Sequence, residues 1–277
     1  MVASAPELVR DRAGLAPAWD AVRARIGLVA LLFALAAVAW WSTADRMRAM
    51  DDGPWTALGA FGWFLGAWVV MMAAMMLPSV APTVALYARM ARARSPLSPL
   101  VFAAGYFVVW GAVGALAFAA AATPGDLLAW DGAGRWIAGV TLLAAAAYEL
   151  TPLKHVCLGK CRSPLGFLLG AWRDGWAGGL RMGARHGAWC VGCCWALMAS
   201  LFALGVMSIA WMAFVAALIA AEKILPWRRV ATYGAAGVLL VLAVLLVAAP
   251  DAIPGLTVPG SDHAAPAMMH GMGMSGP

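Results

Sequence analysis

The chain has 277 residues, of which 64% are hydrophobic and 12% charged, with a formal net charge of +6. A soluble domain carries roughly 45–50% apolar residues even with glycine counted, and about twice this share of charge, so a water-soluble fold is excluded. The basic residues lie between apolar runs and form no patch with exposed aromatics, and no Walker-type motif occurs; nucleic-acid binding and an ATP-driven pump are thereby set aside.

In chain order, residues 1–25 read as a cytoplasmic leader. The first apolar run, 26–41, resembles a signal peptide at Ala37-Val38-Ala39, but a leader containing Glu7, Asp11 and Asp20 argues for a retained span. Further runs at 57–78, 99–122, 134–150, 187–205, 208–225 and 229–249 approach the twenty or so residues that a spanning helix needs. They lack period-two alternation, which excludes barrel strands. Trp40, Trp41, Trp55, Trp130, Trp136 and Trp227 fall near their ends, where interfacial aromatics belong. The predicted fold is an all-α polytopic transmembrane bundle over 26–249, about seven spans. With the N-terminus inside, sixteen Lys and Arg lie in inner segments and three in outer ones, so the N-terminus is assigned to the cytoplasm and the C-terminus outside. Residues 163–185, apolar in patches but carrying Arg173, Asp174, Arg181 and Arg185, read as an amphipathic interfacial helix. Residues 250–277 form a Met/His-rich tail expected to be disordered.

The candidate ligands follow the same order. Met71-Met72-Ala73-Ala74-Met75-Met76 lies in the second run just before Pro78. Met72 and Met76 stand four residues apart and so share a helix face with Met75. Thioethers are neutral soft donors suited to Cu(I) inside a bilayer, although methionine also serves as core filler. Next come Cys157 and Cys161, with His155 beside them, and then His186, Cys190, Cys193 and Cys194. The last three cysteines are spaced i, i+3, i+4 and so lie on one face. Both groups are predicted at the cytoplasmic ends of their helices, hence at one membrane depth. Paired thiol groups point to soft-metal or redox chemistry; the plainer reading is that each is a small buried hydrophobe. Glu149 and Glu222 stand at span edges, where ionisable groups are candidates for function; the plainer reading of Glu222-Lys223 is a boundary anchor with its lysine snorkelling outward. In the tail, His263, Met268, Met269, His270, Met272 and Met274 supply imidazole and thioether donors usable in an oxidising compartment.

The segments Met71 to Ser79, Tyr148 to Lys154 and Cys190 to Met198 resemble a bacterial family of multi-pass membrane proteins catalogued as metal-binding and of unknown function, some members being labelled copper chaperones. The likeness covers approximately residues 57–245. It implies location in the bacterial inner membrane and metal binding, and by position Met75, Met76, Cys157, Cys161, Cys190, Cys193 and Cys194 match the family's pattern. The tail lies outside the matched region. The resulting expectation is an inner-membrane protein that transports or delivers Cu(I), with zinc as the alternative ion. Its partners are the lipid bilayer, the metal and a copper-donor or acceptor protein, and no catalytic residue is assigned. The rival expectation is an enzyme, a membrane thiol–disulfide oxidoreductase using the paired cysteines. A seven-helix photoreceptor is set aside because the last run offers no lysine for a retinal Schiff base.

Overall fold

The computed structural model describes residues 20–23, 25–48, 61–91, 97–121, 134–204 and 208–249, and among them there is no strand. The helices are α1 (Ile26–Arg48), α2 (Phe61–Met90), α3 (Ser98–Ala121), α4 (Gly134–Glu149), α5 (Pro152–Arg162), α6 (Pro164–Ala171), α7 (Gly175–Leu204), α8 (Ile209–Ile224) and α9 (Arg228–Ala248).

The breaks between α4 and α7 follow from local chemistry. After α4 the Thr151 hydroxyl accepts from the Lys154 backbone N–H at 3.3 Å, and Pro152 takes the first turn of α5, where a missing N–H goes unnoticed. The chain bends there by 65°. Pro164 opens α6 in the same way. Gly175, at φ +78°, adopts the left-handed conformation that starts α7 and that a side chain would resist. The segment 163–185 is therefore divided between the short α6, which buries Phe167 and Leu168, and the first turns of α7. At the far end of α7 a new helix begins when the Ser208 hydroxyl caps Trp211 N–H at 3.5 Å.

Two packing features position the later site. α3 and α7 cross almost backbone to backbone. A methyl added at Gly183 would collide with the Phe102 carbonyl, one at Gly105 with the Leu180 carbonyl, and one at Gly187 would come to 2.9 Å from the Tyr106 carbonyl oxygen. Small residues that allow such approach are the usual seam between membrane helices. α5 lies on α7, α4 packs between α7 and α9, and α8 touches α2, α5, α7 and α9. Large apolar side chains such as Val108, Leu116, Val140 and Val241 stay outside this core, more than half exposed, as lipid-facing residues do.

Ile26–Arg46, Phe61–Met90, Ser98–Ala119 and Arg228–Ala248 are long and apolar enough to cross a membrane, and the bent pair α4–α5 brings the number to five. This differs from the seven apolar runs of the sequence. α8 has 16 residues and rises only about 24 Å, short of a hydrocarbon core of about 30 Å. The fourth run ends at the Thr151-Pro152 corner, and residues 187–204 of the next run lie within α7, whose earlier turns carry Arg181 and Arg185.

Candidate metal centre

Three of the five cysteines occupy one turn of α7. The Sγ atoms of Cys190, Cys193 and Cys194 all lie within 4.8 Å of one another, and each residue is about 1% exposed. Cys190 and Cys194 are 3.9 Å apart at sulfur. The i, i+3, i+4 spacing is what aims the three inward together. Their thiols rest on the helix itself: Cys193 Sγ lies 3.2 Å and Cys194 Sγ 2.9 Å from the Cys190 carbonyl oxygen, to which each donates.

The second cysteine pair arrives on α5. Cys193 Sγ is 3.7 Å from Cys161 Sγ, which joins the two sequence-distant groups directly. Cys157 is buried against Gly192; a methyl on that glycine would stand 2.7 Å from the Cys157 sulfur. The Tyr148 hydroxyl donates to the Gly192 carbonyl at 2.5 Å, so this one glycine receives both α4 and α5. All five thiols are free. Sulfurs around a common ion at about 2.3 Å stand about 4 Å from one another, which is close to the 3.7 and 3.9 Å contacts seen here.

Cys190 is the most heavily engaged sulfur. Lys223 Nζ of α8 donates to it at 3.1 Å, and the Tyr106 hydroxyl of α3 lies at 3.0 Å. The same ammonium donates to the Ser79 hydroxyl at 3.2 Å, and Ser79 in turn donates to the Met76 carbonyl at 3.0 Å. Lys223 is 8% exposed. The snorkelling anchor expected from the sequence is therefore corrected: the side chain turns inward because a thiol and a hydroxyl satisfy its donors there. The contact places a positive charge directly beside a candidate ligand sulfur.

The remaining candidates divide. Met72, Met75 and Met76 are buried on α2, in the core that also contains the α7 thiols; the backbone carbonyl of Met76, not a thioether, connects to Cys190 through Ser79 and Lys223. His186 sits one turn before Cys190, buried, with Nδ1 lacking a partner and with the rings of Phe102, Tyr106 and Phe167 at 6.0, 6.0 and 5.0 Å. His155 is partly exposed on α5, and no described contact links it to the thiols. His263, Met268, Met269, His270, Met272 and Met274 lie outside the described residues.

Sequence reasoning missed Tyr106 and the inward Lys223, although an ionisable residue at membrane depth is itself a signal of function. It also missed that Glu149, Lys154 and Glu222 meet. Lys154 Nζ lies 2.5 Å from Glu149 Oε2 and 2.7 Å from Glu222 Oε2, all three side chains being buried. Nothing in the spacing brings residues 149–154 to residue 222; only the α5–α8 contact does.

A family model described as PpoB2, copper chaperone, matches residues 65–246, more than half of the chain, and the chain belongs to that family. No curated protein and no solved structure matches it.

Proposed function

We propose that this member of the copper-chaperone family is an inner-membrane carrier of Cu(I), which it transports or delivers to a partner protein. Cys190, Cys193 and Cys194 of α7, with Cys161 of α5, hold the ion, and Cys157 braces the α5–α7 contact. The observation that carries this reading is the meeting of two cysteine groups, Cys161 Sγ 3.7 Å from Cys193 Sγ and the α7 triad within 4.8 Å. Thiolates select Cu(I), and burial next to Lys223 offsets part of the negative charge that several thiolates bring. His186, with its unpartnered nitrogen, stands next to the triad as a reserve donor.

Met72, Met75 and Met76 relay the ion through α2, passing it from neutral thioethers to stronger thiolates without nucleotide hydrolysis. The tail donors, His263, Met268, Met269, His270, Met272 and Met274, collect it outside. Seven crossings would require α7 and the short α8 to cross in addition to the four long helices and the bent pair. The distribution of Lys and Arg supports a reading with the N-terminus and the thiols toward the cytoplasm of a bacterial cell.

The test is Cu(I) titration of the purified full-length protein against a colorimetric Cu(I) chelator. Wild type is expected to retain one tightly held Cu(I). Cys157→Ser, Cys161→Ser and Cys190→Ser, Cys193→Ser, Cys194→Ser are each expected to lose it; full affinity in either set would dissolve the single site. Zinc held in place of copper, read by elemental analysis after growth in supplemented media, would change the ion and leave the ligands.

A second reading rests on the same 3.7 Å contact: Cys161 and Cys193 are placed for a thiol–disulfide relay. It predicts a metal-free thiol count that drops by two on mild oxidation and recovers with reductant, with activity on a dithiol substrate. The copper reading predicts no such turnover.

A further inference from the structure

The copper site makes no use of the most costly group of charges in the molecule. Glu149 ends α4, Lys154 lies in the first turn of α5 and Glu222 lies near the end of α8, and each is at most 2% exposed. Both carboxylates contact the same ammonium, at 2.5 and 2.7 Å, which forces them into each other's field. Glu149 Oε1 and Glu222 Oε1 are buried and have no hydrogen-bond partner. An ammonium compensates one carboxylate. Two ionised carboxylates on it would leave a net negative charge and two orphan acceptors in a medium of low dielectric, an arrangement that buried acid pairs escape by holding a proton in common.

Other charged and polar groups surround the pair. On α5, Arg162 directs Nη1 to the Glu222 backbone carbonyl and Nη2 to the Leu225 carbonyl at 2.6 Å, and His155 stands beside Lys154 on a partly exposed position. On α8, Lys223 is directed to Cys190 and Ser79. On α4, the Tyr148 hydroxyl is used by Gly192. α7 presents the thiols of Cys190 and Cys193, and Arg228 and Arg229 open α9. Lys154 is the cation that touches both acids.

We propose that Glu149, Lys154 and Glu222 form a proton-binding site in which the two carboxylates share one exchangeable proton while Lys154 remains charged. A proton on one acid turns an orphan acceptor into a donor toward the other and brings the group to neutrality. The site spans the α4–α5 corner and α8, and Glu222 is the chain neighbour of the lysine that holds Cys190. It does not rest on the copper reading.

Infrared spectroscopy of the metal-free, full-length protein in detergent tests it. Wild type at neutral pH is expected to show a protonated-carboxyl stretch that shifts in heavy water. Glu149→Gln and Glu222→Gln each leave one acid for one ammonium and are expected to abolish the band. Lys154→Met leaves two acids without a cation and is expected to raise it about twofold, since each then holds its own proton. That gain also guards against loss of the band through misfolding. A wild-type spectrum without the band at neutral pH, or a band that survives in both glutamine variants, would overturn the site.

Discussion

Met75 and Met76 are buried on α2, where filling space and holding a soft ion call for the same geometry. Leucine separates the two roles, because it nearly matches methionine in volume and the exchange costs less than about 1.5 kcal/mol in a packed core. The Met75→Leu, Met76→Leu protein is expected to insert and melt like wild type, to accumulate far less copper in cells or vesicles, and still to bind added Cu(I) at its thiols in detergent. Wild-type accumulation would remove the relay and leave a site without that path. At this scale the cysteines were legible in the sequence, since CxxxC and CxxCC announce their own spacing. Lys223 was not. It lies three residues before Pro226 at a helix end, where an outward-reaching lysine is the ordinary outcome, and only the approach of Ser79 and Cys190 reverses it.

The α3–α7 seam shows how an element can be visible without its partner. Gly105 and Gly187 lie in the apolar runs at 99–122 and 187–205 and Gly183 in the segment 163–185, but their use depends on a crossing between helices some eighty residues apart. Gly183→Ala would thrust a methyl onto the Phe102 carbonyl, and backbone cannot move aside as a side chain can. A loss of about 1–3 kcal/mol is expected, read as a lower melting temperature in detergent, together with weakened Cu(I) binding because Tyr106 and Cys190 sit on the two displaced helices. Gly111→Ala on α3 meets nothing within 4 Å and is expected to be neutral or slightly stabilising through better helix propensity. Equal losses at both glycines would mean that the seam is not what locates the thiols. The Thr151-Pro152 corner, by contrast, carries its signal openly: a capping hydroxyl followed by proline at the helix start.

Whole-molecule architecture was legible as class and less so as count. Composition excludes a soluble fold, and the described residues are helical, yet four helices, or five with the bent pair, are long and apolar enough to cross by themselves. The difference lies in α7 and α8, where apolar sequence goes into enclosing charged and thiol side chains as well as meeting lipid. Orientation can be measured directly. A phosphatase active only outside the cytoplasm, fused after Pro277, is expected to be active, and a cytoplasm-dependent fluorophore fused there is expected to be dark. The reverse pattern would invert the proposed topology. If the proposed copper function holds, the thiols of one helical turn would also set how quickly cargo could change hands. On the copper reading, donors at 190, 193 and 194 would reach an ion from one helix, while Cys161 would reach it from another and could be replaced by an incoming donor. An incoming donor could then add before an outgoing one leaves, and the ion would move between shells without ever being bare. Exchange by addition keeps affinity and speed from opposing each other: tight holding at equilibrium is compatible with release on contact with a recipient, and with retention when none is present.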